Sequence, residues 1–251
     1  MDGAGTLSAD DSAGRRYLAV AGGLVARLGE VEWPRIDAAA ALLTTAIAAG
    51  RDLHAFGSGH SHMLAEELFY RAGGLARVRP ILFEGLMLHA SAPLSTALER
   101  LPGLATALLG DHPMAPGDVL IVASNSGGNE VARELARLAR EGGVRTIAIT
   151  SLRHATSEAA RDAGSPRLHE LVDVAIDNGG EVGDAAVAVD GLATRVGPTS
   201  TVVGAAIVNV LVAETVERLV RAGIVPEVLT SSNVAGGDVA NAPYLRAGTL
   251  A

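Results

Sequence analysis

Residues 118–129 read DVLIVASNSGGN, and this stretch decides the fold. Asp118–Ala123 is a short apolar run that stops at a cluster of Ser, Asn and Gly. That predicts a strand buried on both faces and a tight loop after it. A helix follows from Glu130 to Glu141, and Gly142-Gly143 ends it. Strand, polar loop and helix in that order form the repeating unit of a parallel sheet.

The unit recurs on both sides of this stretch. Leu53–Phe56 predicts a strand that runs into GSGHSH at 57–62, with a helix over 61–72 closed by Gly73-Gly74. Further strands are predicted at 80–83, 145–150 and 171–176, and helices at 93–109 and 199–222. Upstream, 15–50 reads as two helices. Leu18, Leu24, Val25 and Leu28 line one apolar stripe, and Ile36, Ala40, Leu43 and Ile47 line another, with Pro34 in a first turn. The expected fold is α/β: a three-layer sandwich around a central parallel sheet, flavodoxin-like, with an N-terminal helical extension. Residues 1–14 read as a disordered tail and 15–251 as one domain.

Composition excludes several chemistries. The 251 residues suit one large α/β domain. There is no Cys, hence no disulfide, thiol nucleophile or thiolate metal site. Every basic residue is Arg; with no Lys there is neither Schiff-base catalysis nor a Walker-type phosphate loop. The net charge is −8 without a basic block, which argues against nucleic acid or an anionic membrane as partner. A helix-turn-helix reading of 15–50 fails because Asp10, Asp11, Glu30, Glu32 and Asp37 outweigh the nearby Arg residues. Charged residues interrupt each apolar stretch before it reaches membrane-spanning length. The first residues lack the basic start and apolar run of a secretory signal, so a cytoplasmic protein is expected.

The two loops share one design. Each follows a buried strand, contains Gly and Ser, and opens a helix. In a parallel sheet such loops lie at the carboxyl ends of the strands, where ligands bind. Helix N-termini expose unpaired N–H groups and partial positive charge, which favour phosphate. Gly57 lets backbone approach closely, and Ser58, Ser61, Ser124 and Ser126 add hydroxyl donors. The serines could instead only cap their helices, but two such loops in one sheet favour an anion site. A dinucleotide fits less well. Gly57-x-Gly59-x-x-His62 imitates its fingerprint, with Glu84 placed as the ribose acid. However, His62 stands where close packing needs a third small residue.

The segments HAFGSGHSHMLAEELFYRAGG (54–74), GDVLIVASNSGGNEVARELA (117–136), RTIAITS (145–151) and GPTSTVVGAAIVN (197–209) resemble the SIS (sugar isomerase) domain family. More narrowly, they resemble its single-domain bacterial phosphosugar-binding subgroup, and the resemblance runs from about Arg16 to Leu245. It implies a SIS-type sheet, a phosphosugar ligand, and a homodimer or homotetramer with sites near the subunit boundary. It also implies that Ser124, Asn125, Ser126 and Thr199 or Ser200 hold the phosphate, with Gly57, Ser58 and Ser61 nearby. Asn129 stands where many relatives have a phosphate-binding Thr.

Phosphosugar isomerases and the related etherases begin with a carboxylate that removes the proton at C2. Nearby donors then stabilise the enediolate. Glu67 and Glu66, after GSGHSH, are candidate bases, and Glu84 and Glu99 are the remaining acids. His60 and His62 stand at the helix mouth, where an imidazole could meet a sugar hydroxyl or the phosphate, with His89 a weaker candidate. Two histidines two residues apart without a third ligand make a poor zinc site, so no metal and no cofactor are expected. Heptose-phosphate isomerases of the family carry a His on the helix matching 199–222, where this chain has Asn209, Glu214 and Glu217. That tilts the expectation towards a lyase (dehydratase) acting on an N-acetylhexosamine 6-phosphate. An aldose–ketose isomerase and a non-catalytic sensor are the alternatives.

Overall fold

A computed structural model describes residues 12–161 and 164–246. The chain opens with two helices, α1 (Ala13–Glu30) and α2 (Trp33–Ala48). Then come β1 (Leu53–Gly57), α3 (His62–Leu68), β2 (Val78–Ile81), α4 (Ala92–Leu98), α5 (Leu104–Asp111) and β3 (Val119–Ala123). These are followed by α6 (Glu130–Glu141), β4 (Arg145–Thr150), α7 (Leu152–Ala155), α8 (Leu168–Leu171) and β5 (Val174–Asp177). A short hairpin, β6 (Ala185–Val187) and β7 (Val196–Pro198), leads into α9 (Ser200–Arg221) and α10 (Gly237–Arg246).

The central sheet is parallel, in the order β2-β1-β3-β4-β5. Alternation along the strands sends side chains to two cores. Leu53, Ala55, Val119, Ile121, Ile147, Ile149 and Ile176 pack with α2, α3 and α9 on one face. Phe56, Ile81, Leu120, Val122, Ala148 and Ala175 pack with α5, α6 and Leu168 on the other. Apolar residues on both sides of each strand therefore produce three layers, as the sequence predicts. The chain leaves β1 towards β2 on one side and β3 towards β4 on the other, which opens a crevice at the carboxyl ends of β1 and β3. Gly57 is in register with Ala123, so Ser58 and Ser124 leave the sheet side by side.

Several elements differ from expectation. The expected tail at 1–14 falls outside the described residues as far as Asp11. From there Ser12 accepts a hydrogen bond from Arg15 N at 3.4 Å and α1 begins at Ala13. Helix α3 stops at Leu68 instead of 72, and Tyr70 takes a φ of 46°. Beyond it, Gly73 and Ala76 donate to Leu229 and Glu227, and these long-range bonds replace further helical ones. The single helix expected at 93–109 is split at Pro102-Gly103, where Gly103 adopts φ +83°. The β6–β7 hairpin and α10 carry no pattern that predicted them. Tyr17 of α1 secures the hairpin by donating to the Pro198 carbonyl at 2.9 Å. Among the described residues, no helix is long and apolar enough to cross a membrane.

Candidate functional site

The loop after β1 folds tightly back on itself. A Cβ at Gly57 would stand 2.2 Å from the Ser61 carbonyl oxygen, so only glycine fits. Gly59 supplies the second requirement, a φ of +57°. Ser58 is buried, and its hydroxyl donates to Glu99 Oε2 at 2.9 Å. The Glu99 carbonyl meanwhile accepts from Val131 N at 3.2 Å, in the first turn of α6. Glu99 thus straps the β1 loop to the helix that follows the β3 loop.

The β3 loop is fixed from the neighbouring strands. Ser124 N donates to Ile149 O, and the Asn125 carbonyl accepts from Ser151 N at 3.0 Å and Thr150 Oγ1 at 3.2 Å. Asn178, just past β5, donates through Nδ2 to Asn125 Oδ1 at 2.9 Å. Gly127 takes the positive φ that turns the chain, and Gly128 N donates to Ser126 Oγ at 3.4 Å.

The loops meet in one small pocket. Ser61, Ser124, Asn125, Asn178, Ser200 and Thr201 line it over a floor of Leu64, Ala123 and Ile149. The polar lining is hydroxyl and amide only. It is backed by the N-terminus of the 22-residue α9. Such a lining can surround an anion with neutral donors and a favourable helix dipole.

The terminus of α9 already carries an acid. Asp184 Oδ1 accepts from Thr199 N at 3.0 Å and Ser200 N at 2.9 Å, and Oδ2 accepts from the Ser200 hydroxyl at 2.5 Å. Thr199 is fully buried, and its Oγ1 has no partner. The backbone N–H groups expected to serve a ligand here are therefore engaged by the protein's own carboxylate, although Ser200 still lines the pocket.

The structure divides the remaining candidates. Ser61, Ser124, Asn125 and Ser200 come together in the pocket lining, which does not include Gly57, Ser58 or Ser126. Asn129 turns away and accepts from Arg161 Nη2 at 3.0 Å. Glu67 is held between Arg71 (2.8 Å) and Asn209 Nδ2 (2.7 Å). Glu66 is exposed, with one oxygen 3.6 Å from His62 Nε2. His62 is buried, its Nδ1 bonded to the Gly59 carbonyl and its ring 6.3 Å from that of His89. His60 and Glu84 are exposed. No group of three His, Asp or Glu that could hold a metal occurs among the described residues. Sequence reasoning missed Asn178, Thr201, Asp184 and Arg167. Thr201 left a signal in the helix start Pro-Thr-Ser-Thr, and Asn178 in the turn sequence Asp-Asn-Gly-Gly at the end of β5. His154, on α7, accepts from Gly183 N at 3.2 Å, next to Asp184. Burial first, and then the charge of Arg167, hold its imidazole below the ordinary range.

Fold and site define a class: a doubly wound parallel α/β domain with a hydroxyl- and amide-lined pocket at its switch point. Within that class, the chain belongs to the SIS domain family, which matches residues 16–151, just over half of the chain. It is 44% identical over 189 residues to a UPF0309 protein of Listeria monocytogenes serotype 4b, covering 75% of this chain and 76% of that one. It is 42% identical over 210 residues to a UPF0309 protein of Geobacillus kaustophilus, covering 84% of each. Among solved structures it is similar to a phosphoheptose isomerase from Francisella tularensis (TM-score 0.50, 15% identity, 80% of this chain and 94% of that one). It is also similar to the Vibrio vulnificus NanR protein complexed with ManNAc-6P (TM-score 0.51, 17% identity, 86% and 67%). At these identities the structural likeness is one of fold.

Proposed function

We propose that this protein binds a phosphorylated sugar in the β1/β3 crevice. The observation that carries the reading is the convergence of Ser61, Ser124, Asn125, Asn178 and Ser200 on one pocket. Its donors are neutral and suited to phosphate oxygens, each bond to a charged group contributing roughly 1.5–3 kcal/mol. The SIS-fold structures bear on the ligand class, since one of them holds an N-acetylhexosamine 6-phosphate.

The proposed reaction is elimination on an N-acetylhexosamine 6-phosphate in its open-chain form. A carboxylate takes the C2 proton, the electron pair forms an enolate across C1 and C2, and its collapse to a C2–C3 double bond expels the C3 hydroxyl, which leaves as water after protonation. Glu99 is the preferred base because it is tied to the β1 loop and to the first turn of α6, whereas Glu67 is held by Arg71 and Asn209. A homodimer is part of the proposal. It is supported by exposed Leu18, Val20 and Val25 on α1 and is checked by light scattering.

The test is incubation with N-acetylglucosamine 6-phosphate in deuterated water, followed by NMR and near-ultraviolet absorbance. The expected result is loss of the C2 proton signal together with an unsaturated, absorbing product. Glu99→Gln should abolish both while retaining binding. With a 2-hydroxy aldose phosphate as substrate, deuterium at C1 of a ketose product identifies an isomerase instead, and binding without C2 exchange identifies a sensor. No binding across a panel of hexosamine and ketose phosphates sinks the proposal.

A further inference from the structure

Arg167 lies against the β3 loop, and among the described residues no acid answers its charge. The residue is 4% exposed. Its Nη2 donates to the Arg161 carbonyl at 2.7 Å, and its Nε has no partner among the described residues. Among the described residues no carboxylate forms an ion pair with it. The acid closest along the chain, Glu170, accepts from the Arg167 backbone N–H at 2.6 Å instead. Other arginines of this chain find acids, as Arg133 does with Glu130 and Arg153 with Glu181. A guanidinium cannot shed its proton to escape burial. A buried, unpaired charge is strongly unfavourable unless an opposite charge arrives.

Its position sets the cation against the β3 loop. Gly128 packs directly against the guanidinium: a Cβ there would stand 2.1 Å from Nη1 and 3.4 Å from Cζ. The loop that carries Ser124 and Ser126 is therefore glycine where it meets the cation. We infer that Arg167 is an anion-binding residue, giving the Ser124–Asn129 loop the permanent positive charge that pairs with a phosphate dianion. The ligand's place rests on the phosphosugar reading, but the cation's role can be probed without any sugar.

The test uses inorganic phosphate, N-acetylglucosamine 6-phosphate, and full-length wild type, Arg167→Met and Arg167→Lys. Thermal melts and titration calorimetry are recorded with and without each ligand. Phosphate should raise the wild-type melting midpoint, and Arg167→Met should bind it at least tenfold more weakly. Ligand-free Arg167→Met should melt no lower than wild type, because an unpaired charge has been removed. Arg167→Lys, which keeps charge without the planar fork, should recover part of the affinity. Phosphate binding that depends on Arg167, without any sugar-phosphate binding, supports the cation's role while sinking the sugar reading. Equal phosphate binding by wild type and Arg167→Met overturns the inference. So does a wild type indifferent to phosphate. A ligand-free Arg167→Met that is unfolded or melts several degrees lower also overturns it, since the charge would then be met inside the chain.

Discussion

Replacing Asp184 tests whether an internal carboxylate organises the mouth of α9. Its two oxygens accept from Thr199 N, Ser200 N and the Ser200 hydroxyl. Removing them with Asp184→Ala leaves the start of a 22-residue helix uncapped. Loss of a cap costs about 1–2 kcal/mol, and loss of the charge at the dipole's positive end about 0.3–1 kcal/mol more. Asp184 also sits at φ +71°, a left-handed conformation that Asp tolerates better than Ala, for about 1 kcal/mol. The sum is about 2–4 kcal/mol. In a chain of this size each kcal/mol shifts the midpoint by about 2–4 °C, so scanning calorimetry should show a fall of about 5–15 °C. Asp184→Asn keeps one acceptor oxygen and the left-handed tolerance, and should fall by only a few degrees. Inorganic phosphate should raise the Asp184→Ala midpoint more than that of wild type, because the exposed N–H groups attract anions. An Asp184→Ala midpoint within about 1 °C of wild type would refute the reasoning, as would an Asn variant damaged as badly as the Ala one.

Ser124→Ala combined with Ser126→Ala should weaken sugar-phosphate binding at least tenfold by calorimetry, since about 1.4 kcal/mol is tenfold and the Ser124 donor in the pocket lining is lost. Gly57→Ala drives a Cβ into the Ser61 carbonyl and must displace the loop. A shift of about 1 Å should cost turnover about 100-fold while the circular dichroism spectrum stays native. His54, 3.2 Å from Asp118, is lowered in pKa chiefly by burial, and His154 is lowered likewise. The unfolded chain then binds protons more readily than the folded one below the ordinary imidazole value of 6.5. Stability should be fully present above that pH and drain away as pH falls through it towards the folded values. Melts from pH 8 to 5 should show this decline, and His54→Asn should flatten part of it. A flat wild-type profile over that range would contradict the assignment.

The sheet was legible because each of its core strands is apolar on both sides, and only burial under two helical layers accommodates such runs. The two loops were legible for a related reason, since Ser, Asn and Gly interrupt apolar segments at the point where a helix must start. Boundaries set by distant partners were not. Helix α3 ends where residues 73–76 pair with residues 227–229, and nothing local announces that pairing. The β6 and β7 segments, three residues each, are too short to display alternation. Asp184 and Arg167 read as ordinary surface charges until the chain brings one to the mouth of α9 and buries the other behind Gly128.

The same contrast separates the candidate acids. Glu67 follows the Ser-rich loop and looked the obvious base, yet its neighbours are an Arg on one oxygen and an amide on the other. Both of its oxygens are therefore occupied by neighbours within the protein. Glu66 points to solvent beside His62. Glu99 comes from a different part of the chain and needed the fold to place it. Its single side-chain bond is to a neutral hydroxyl, Ser58, and its own carbonyl joins the start of α6. An acid held by the β1 loop and the start of α6, with no cation paired to it among the described residues, is the arrangement proton abstraction requires. Glu99 therefore has the stronger physical claim to the role, although Glu67 has the more suggestive place in the sequence.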